Sequence, residues 1–244
     1  MKNRTFIIPD IHGMYNKLIA CLQLVNFDYE NDRLIQLGDV VDRGPDSFLV
    51  VEELLKIKNL VAIRGNHDDE FRNATITGRN TLYNQGGRET MLSYTREYPE
   101  CDNDPVKIPF EHYNFFHNIQ INYFVDENNN CYVHGGFNRH RLIDEQEGDH
   151  VYFWDRDLFL AALSYESMQD KKYKFKMVSN FNKVFIGHTP TLMFGCSTPI
   201  KAANILNLDT GCGKGGELFI YNVDEDYGYF SGYKYRLNNI YGTE

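Results

Sequence analysis

The sequence predicts an α/β fold with parallel strands. Short apolar runs of strand length alternate with amphipathic runs of helical period through the first quarter of the chain. Strand-like runs then dominate again from residue 131 onward. With 244 residues, 42% of them hydrophobic, the chain can bury a substantial core. The order strand, helix, strand, helix, strand is typical of βαβ units, in which the strands lie parallel.

The first quarter of the chain supplies three predicted strands and two predicted helices. Short apolar runs predict strands over residues 5–9, 33–37 and 60–63. Apolar residues recur with a period near 3.6 from Met14 to Val25, which predicts the first helix. The same period from Phe48 to Lys58 predicts the second helix, with Ser47 as its N-cap.

The rest of the chain is predicted to complete a single domain over residues 1–244. Residues 68–130 are polar with mixed helical and loop signals, so we interpret them as a helical and loop insertion. Strands are predicted over residues 131–133, 183–186, 204–208 and 217–223. In the C-terminal tail, alternate tyrosines are predicted to form one face of a terminal strand or hairpin; they are Tyr227, Tyr229, Tyr233, Tyr235 and Tyr241.

The composition excludes several classes of protein. The formal net charge of −9 disfavours a nucleic-acid binder, which needs basic surface, and at first sight also disfavours an anionic substrate. The sequence contains no apolar run of about 18 residues and no signal peptide, so we expect no membrane partner and a cytoplasmic location. The cysteines are scattered without C-x-x-C spacing, against a disulfide framework or a thiolate zinc site; they are Cys21, Cys101, Cys131, Cys196 and Cys212.

Five predicted strands each run into a motif that joins a potential metal ligand to a glycine. The motifs in chain order are D-I-H-G (10–13), G-D-V-V-D-R-G (38–44), R-G-N-H-D (64–68), H-G-G (134–136) and G-H-T-P (187–190). In open α/β sheets, ligands bind at the carboxyl ends of the strands, so we expect the five motifs to converge. A lone histidine after a strand is usually a packing residue, but five such turns in order are hard to attribute to chance.

The residue types in these motifs indicate metal-dependent chemistry at phosphorus. Aspartate, histidine and asparagine without thiolates suit Mn²⁺, Fe or Zn²⁺, and the candidate ligands are too many for one tetrahedral ion. Two divalent cations that share a carboxylate activate water for displacement at phosphorus. Arg43 and Arg64 belong to the same turns, where a guanidinium can bind phosphate oxygens through two hydrogen bonds.

Together these motifs resemble those of the calcineurin-like metallophosphoesterases, specifically the phosphoprotein phosphatase branch. The sequence is similar to small bacterial and phage Ser/Thr phosphatases and to symmetrical dinucleoside tetraphosphatases. The similarity extends from Asp10 to about Leu218. It implies a four-layer α-β-β-α sandwich, in which two central mixed sheets are flanked by helices, and a hydrolase that acts on phosphoesters.

The resemblance also implies a centre of two divalent cations. In this family the aspartate and histidine of D-I-H-G hold the first metal, and the aspartate of the G-D pair bridges both metals. The asparagine of G-N-H and two later histidines hold the second metal. The corresponding residues here are Asp10, His12, Asp39, Asn66, His134 and His188. We expect Mn²⁺, with Fe or Zn²⁺ as alternatives.

Catalytic roles follow from the same resemblance. His67 is the expected general acid, and Asp42 is expected to orient it. Arg43 is expected to bind phosphate, as are Arg64, which precedes the G-N-H motif, and Arg156, in the F-W-D-R element. In the family, a metal-bridging hydroxide attacks phosphorus in line, without a phosphoenzyme intermediate.

The sequence is compatible with three functions. The intact Asp42 and residues 84–90 favour a phosphomonoesterase that acts on phosphoproteins, phosphopeptides or small phosphoesters. Residues 209–218 resemble the tetraphosphatases and favour hydrolysis of a dinucleoside polyphosphate or another nucleotide. A non-catalytic phosphate-binding protein is the third alternative, but such proteins usually lose a ligand or the acid, and here every matched position is present.

Two features of the sequence resemble other kinds of site but lack the surroundings that those sites need. Residues 211–216 formally satisfy G-x-G-x-x-G, but a predicted strand follows them, whereas the dinucleotide motif must open a helix. Asp209 is interpreted as part of the family's D-T-G turn, either supporting the site or only forming the turn. No histidine or asparagine pairing signal accompanies Cys212, so we interpret it as a bystander.

Overall fold

A computed structural model describes residues 4–101, 104, 107–168, 175–230 and 233–236. The helices of the described part are α1 (Tyr15–Leu24), α2 (Ser47–Leu54), α3 (Asn66–Thr77), α4 (Gly87–Glu97), α5 (Phe110–Asn114), α6 (His150–Trp154) and α7 (Asp157–Glu166). The strands are β1 (Thr5–Ile8), β2 (Arg33–Gln36), β3 (Asn59–Ala62), β4 (Tyr123–Val125), β5 (Cys131–Val133), β6 (Val184–Ile186), β7 (Ile200–Ala202), β8 (Ile205–Asn207), β9 (Phe219–Asn222), β10 (Tyr227–Phe230) and β11 (Tyr233–Arg236).

These strands form two mixed sheets. The first sheet has the order β11-β10-β9-β1-β2-β3, in which β1, β2 and β3 are parallel and β9, β10 and β11 pair antiparallel. The second has the order β4-β5-β6-β8-β7, in which β5, β6 and β8 are parallel. β4 and β7 add antiparallel edges. The parallel strands of both sheets therefore carry the motifs singled out from the sequence.

The alternation of side chains along the strands divides the core into three layers. In β1, Phe6 and Ile8 pack with α1 and α2, whereas Ile7 faces the other sheet. In β5, Tyr132 lies in this central layer, where its ring stacks on that of Phe185 at 5.1 Å. Cys131 belongs to a third layer with residues of α6 and α7. The result is a four-layer α-β-β-α sandwich, as expected.

Most predicted elements are present, with ends that differ from the predicted ones by at most four residues. Ser47 is the first residue of α2 and makes no capping hydrogen bond; Asp46 occupies the N-cap position. The prediction of Ser47 as the cap is therefore wrong, because its hydroxyl bonds to Thr90 instead. The strands β4 and β7 were not predicted, since each lies at a sheet edge and is less buried than the central strands.

The C-terminal tyrosines lie on the expected hairpin, but the prediction that they share one face is wrong. The register pairs Tyr227 and Tyr229 with Arg236 and Lys234, so the tyrosines of the two strands occupy positions on opposite faces. Tyr227 and Tyr229 lie on β10, and Tyr233 and Tyr235 lie on its antiparallel partner β11. The fifth, Tyr241, lies outside the described residues. Across the described ranges, every helix is too short or too polar to cross a membrane.

Candidate metal centre

The five strand-end motifs meet at one edge of the sandwich, and their backbones turn sharply there. Five non-glycine residues of these motifs have positive φ angles: His12 (50°), Asp39 (57°), Asp42 (70°), Arg43 (68°) and His188 (65°). This conformation is unfavourable for residues with a Cβ, and such strain concentrates at functional sites. The glycines beside them are needed for close approach, since a Cβ on Gly65 would lie 2.2 Å from the carboxylate of Asp39.

Two clusters of potential ligand atoms share the carboxylate of Asp39. The first joins Asp39 to His12 and His67, and the second joins it to His134 and His188. Within each cluster the ligand atoms lie within 4.8 Å of one another, and all five residues are buried. Oδ2 of Asp39 lies 3.5 Å from Nε2 of His12, and Oδ1 lies 3.5 Å from Nε2 of His134. The two oxygens of one carboxylate thus serve two neighbouring clusters.

Hydrogen bonds to the far side of each ring fix the tautomers of two histidines. Nδ1 of His12 lies 2.8 Å from the carbonyl oxygen of Val41, and Nδ1 of His134 lies 2.7 Å from that of Leu37. Since a carbonyl only accepts, both Nδ1 atoms carry the proton and both Nε2 atoms present a lone pair. A histidine that binds a metal is usually held in this manner.

Acceptor atoms face one another in the second cluster. Nε2 of His134 lies 3.2 Å from Oδ1 of Asn66, and Nδ1 of His188 lies 2.9 Å from the same oxygen. The first of these contacts has no proton to share, because the proton of neutral His134 is on Nδ1. In addition, Nε2 of His188 is buried without a hydrogen-bond partner. A cation beside these lone pairs would make the arrangement favourable, so the residues fit a metal site.

The charge balance of the centre also favours a bound cation. Burial lowers the pKa of His12 well below its ordinary value and that of His188 to about 2, so both rings are neutral near pH 7. Burial, together with the carboxylates of Asp209 and Asp39, raises the pKa of Asp10 well above its ordinary value. Burial likewise raises the pKa of Asp209 to about 6. Buried carboxylates beside neutral imidazoles are costly unless positive charge joins them.

Asp10 is placed differently from the other expected ligands. Its carboxylate accepts the backbone N–H of His188, at 3.1 Å and 3.2 Å for its two oxygens. It belongs to neither three-residue cluster of the described part, and His67 takes the third place in the first cluster. Asp209, whose role the sequence left open, lies close enough to Asp10 for the two carboxylates to influence each other.

His67 and Asp42 form a buried pair beside the first cluster. Nδ1 of His67 donates to Oδ2 of Asp42 at 2.7 Å, and both side chains are almost fully buried. Burial alone would lower the pKa of His67, but the carboxylates of Asp39 and Asp42 outweigh it and the pKa is raised. The ring of His67 also meets that of His12 edge-on at 4.9 Å.

Arg43 lies across both histidines of the first cluster. Its Nη1 donates to Nε2 of His12 at 2.6 Å, and its Nη2 donates to Nε2 of His67 at 3.0 Å. A guanidinium only donates, so neither Nε2 atom carries a proton in this arrangement. The cation of Arg43 thus lies against the ring nitrogens that point into the cluster.

The other two arginines expected at the phosphate, Arg64 and Arg156, have different surroundings in the structure. The buried guanidinium of Arg64 donates to the carbonyl of Gln120 at 3.3 Å and lies 4.0 Å from Asp69. Burial and the neighbouring Arg72 lower the pKa of Arg64. Arg64 therefore has partners outside the two clusters. Arg156 stands at the N-terminus of α7, near enough to lower the pKa of both histidines of the second cluster, His134 and His188.

Trp154 extends the site toward solvent. Its ring lies edge-on to that of His188, with the centroids 6.0 Å apart, and it is 42% exposed. It belongs to the same F-W-D-R element as Arg156. An exposed indole at the rim of a polar site offers a flat apolar surface to a substrate.

Asp68 was not singled out from the sequence, although it ends the R-G-N-H-D motif. Its Oδ1 accepts the N–H of Val40 at 2.9 Å, and its Oδ2 accepts those of Asp39 at 2.8 Å and Gly65 at 3.1 Å. Oδ2 also accepts the side chain of Gln120. Burial and the charge of Asp39 raise the pKa of Asp68 to about 7, against these hydrogen bonds. Asp68 thus joins the turns after β2 and β3.

The glycine-rich run at 211–216 packs against the centre and does not have the structure of a dinucleotide-binding motif. The strand β9 follows it, as predicted, in place of the helix that a dinucleotide site needs. A Cβ on Gly213 would lie 2.5 Å from the ring of His12. Cys212 is buried and burial raises the pKa of its thiol to about 12, so it is a poor nucleophile.

The fold and the site define a phosphoesterase of the α/β sandwich type, with paired ligand clusters at the carboxyl ends of its strands. The family model of the calcineurin-like phosphoesterases matches residues 4–192, and the chain belongs to this family. The protein is therefore a phosphoester hydrolase.

Relatives within the family carry two different activities in their names. Serine/threonine-protein phosphatase 1 of Salmonella typhimurium strain LT2 is 24% identical over 220 residues, which span 89% of this chain and 91% of that protein. The symmetrical bis(5'-nucleosyl)-tetraphosphatase of Wigglesworthia glossinidia brevipalpis is 41% identical over 64 residues, which span 26% of this chain and 24% of that protein. A crystal structure assigned as a diadenosine tetraphosphatase has the same fold, with a TM-score of 0.62 and 19% identity over 94% of this chain and 93% of that one.

Proposed function

We propose that the protein is a phosphomonoesterase of the Ser/Thr phosphoprotein phosphatase type, active on phosphoproteins, phosphopeptides or small phosphoesters. The observation that carries the proposal is the Asp42–His67 pair beside two ligand clusters that share Asp39. The similarity to the Salmonella protein phosphatase over most of both chains supports it. The four free cysteines of the described residues agree with a reducing compartment such as the cytoplasm.

The residues proposed to hold two divalent cations are Asp10, His12, Asp39, Asn66, His134 and His188. Mn²⁺ is the proposed ion, with Fe or Zn²⁺ as alternatives, because the donors are oxygen and imidazole nitrogen without thiolate. Bound cations would neutralise phosphate charge and make a water acidic enough to act as the nucleophile. The remaining catalytic work belongs to side chains of the protein.

Arg43 and His67 are proposed to act in sequence. Phosphate oxygens would compete for the guanidinium of Arg43, which donates to His12 and His67. When Arg43 turns to the phosphate, Nε2 of His67 becomes free to take a proton from solvent, and the carboxylates of Asp39 and Asp42 favour that proton. His67 then donates it to the leaving oxygen, while Asp42 keeps the proton on Nδ1 and fixes the ring.

Arg156 and Trp154 are proposed to contact the substrate from the opposite side. Arg156 lies near His134 and His188, and the exposed ring of Trp154 stands beside His188. A guanidinium near the second cluster can bind a phosphate oxygen, and the indole can pack on the group that the phosphate esterifies. Arg64 is proposed to support the turn after β3 through its contact with Gln120.

Hydrolysis of a dinucleoside tetraphosphate is the second candidate. It is favoured by residues 209–218, whose glycine-rich turn packs on His12, and by the local similarity to the Wigglesworthia tetraphosphatase.

The test of the two candidates compares kcat/KM for p-nitrophenyl phosphate, a phosphoserine peptide and diadenosine tetraphosphate, with Mn²⁺ present. We expect the monoesters to be turned over at least as efficiently. A preference of orders of magnitude for the tetraphosphate would overturn the first proposal in favour of the second.

A further inference from the structure

Thr90 connects the segment between α3 and β4 to the catalytic pair. It lies in α4, its side chain is fully buried, and its hydroxyl makes two contacts with Asp42. Oγ1 of Thr90 donates to Oδ1 of Asp42 at 2.8 Å, and it accepts the backbone N–H of Asp42 at 2.7 Å. Oγ of Ser47, at the start of α2, lies 3.0 Å from the same hydroxyl.

The hydrogen bonds of this group can be assigned without ambiguity. Thr90 has one hydroxyl proton, and the carboxylate of Asp42 can only accept, so that proton points to Asp42. Ser47 must then donate to Thr90, whose oxygen accepts from Ser47 and from the N–H of Asp42. The hydroxyl of Thr90 is fully satisfied, and each oxygen of Asp42 has one donor: Thr90 for Oδ1 and His67 for Oδ2.

Asp42 needs such a support because its backbone is strained. Its φ angle is 70° in a residue with a Cβ, and the following Arg43 has φ 68°. The N-terminus of α4 holds both residues from one side: Thr90 binds Asp42, and the carbonyl of Gly86 accepts the N–H of Arg43 at 3.2 Å. A Cβ on Gly86 would lie 2.3 Å from the backbone nitrogen of Arg43, which shows how closely the two segments approach.

We propose that Thr90 is a positioning residue for the general acid, acting through Asp42 on the orientation of the His67 ring. This inference rests on the proposed function, in which His67 protonates the leaving oxygen. It gives α4 a role in positioning the catalytic pair. Without the bond from Thr90, Oδ1 of Asp42 is a buried carboxylate oxygen without its donor, and the carboxylate is free to rotate away from His67.

The leaving group distinguishes positioning from general structural support. p-Nitrophenolate leaves readily without protonation, whereas the alkoxide of a phosphoserine peptide and the phenolate of phenyl phosphate depend on an acid. A defect in the acid therefore slows the second kind of substrate more than the first. A defect in metal binding or folding slows both kinds alike.

The experiment compares Thr90→Val, Thr90→Ser and the matched control Thr95→Val in metal-loaded full-length protein. Thr95 lies on the same helix, is exposed, and donates to the carbonyl of Met91 within that helix. We expect Thr90→Val to lower kcat for phenyl phosphate about 10- to 100-fold, the usual effect of removing a side chain that hydrogen-bonds to a residue of the site. KM and metal content should be unchanged. Its kcat for p-nitrophenyl phosphate should fall much less, Thr90→Ser should restore activity, and Thr95→Val should resemble the wild type.

Other results overturn the inference. Equal losses for both substrates, or a loss that follows metal content, would make Thr90 merely structural, and an unchanged kcat for phenyl phosphate would leave it without a role. Should Thr90→Val fail to fold, Thr90→Ala provides the same comparison with less apolar bulk beside the carboxylate. If the wild type itself hydrolyses neither monoester, the proposed function fails; if only Thr90→Val is without effect, the function stands and the inference about Thr90 fails.

Discussion

The two ring nitrogens of His67 have different partners, and its proposed role depends on that difference. Nδ1 donates to Asp42 at 2.7 Å, while Nε2 accepts from Arg43 at 3.0 Å. The buried carboxylate holds the ring and favours the imidazolium, whereas the guanidinium opposes it. A histidine held between an anion and a cation can change its protonation state when a phosphate attracts the cation.

Replacing His67 with asparagine tests whether this residue is the acid or a metal ligand. We expect His67→Asn to lower kcat for phenyl phosphate about 10²- to 10⁴-fold, the usual contribution of a general acid. Metal content, measured by elemental analysis of the purified variant, should stay at the wild-type level. The location of His67 in the first cluster makes the opposite result informative, because a loss of metal would identify it as a ligand.

Replacing Arg43 with lysine tests recognition of the phosphate. Lysine keeps the charge but loses the planar pair of donors, so we expect KM for p-nitrophenyl phosphate to rise about tenfold, from the loss of roughly 1.5 kcal/mol of charged hydrogen bonding. Inhibition by inorganic phosphate should weaken in parallel. Arg88→Lys is the matched control, since Arg88 is exposed on α4 and lies 3.9 Å from Glu89. An unchanged KM and phosphate inhibition in Arg43→Lys would remove Arg43 from the phosphate site.

At the scale of elements, the turns after β2 and β3 depend on one carboxylate. Asp68, in the first turn of α3, accepts the backbone N–H groups of Asp39, Val40 and Gly65. Both of its oxygens accept, so an isosteric amide cannot replace it: one oxygen would become an NH₂ group that faces an N–H donor. The position of Asp39, which both clusters share, therefore depends on Asp68.

The substitution Asp68→Asn should consequently weaken both folding and metal binding. We expect a loss of about 1–3 kcal/mol in the free energy of unfolding, measured by urea denaturation, together with weaker binding of Mn²⁺. Asp69→Asn is the matched control: the neighbouring Asp69 is partly exposed and pairs with Arg72 at 3.5 Å, an ion pair worth less than about 1 kcal/mol. Equal stability and Mn²⁺ affinity in the two variants would contradict the role given to Asp68.

Local pattern was sufficient to predict the central strands and the turns that carry the candidate ligands, because each of these turns directly follows a buried run. The motif that contains Asp39 and Asp42 could thus be recognised from a few adjacent residues. Contacts between residues that are distant in the sequence could not be predicted in this way. Thr90 stands 48 positions from Asp42 in a polar helix, and its hydroxyl gains a role only when α4 packs against the turn after β2. Ser47 has a cap-like position in the sequence, but the same packing gives its hydroxyl another partner.

At the scale of the whole molecule, the negative charge of the chain takes on a different meaning. The net charge of −9 disfavoured an anionic substrate, yet Asp10, Asp39 and Asp209 are buried in the centre and do not face solvent. Divalent cations held there would reverse the local charge and leave positive potential where a phosphate approaches. The acid excess then remains an argument against nucleic acid on the general surface, but no longer an argument against phosphate at the site.

Metal binding should accordingly stabilise the entire fold, because the clusters join turns from both sheets. The second cluster joins the two sheets directly. Asp39 follows β2 of one sheet, whereas His134 and His188 follow β5 and β6 of the other. Cations that bind only the folded chain, at 100 times their Kd, add about 2.7 kcal/mol per site. For a chain of this size, that corresponds to a rise in Tm of several degrees.

Thermal unfolding followed by circular dichroism, with Mn²⁺ or with EDTA, measures this linkage. We expect Mn²⁺ to raise Tm over the chelated protein, and His188→Ala to lose a large part of the rise because the second cluster lacks one donor. His140→Ala should keep the full rise, since His140 is exposed and lies outside both clusters. A Tm that Mn²⁺ leaves unchanged, in protein that hydrolyses p-nitrophenyl phosphate without metal, would refute a metal centre that links the two sheets.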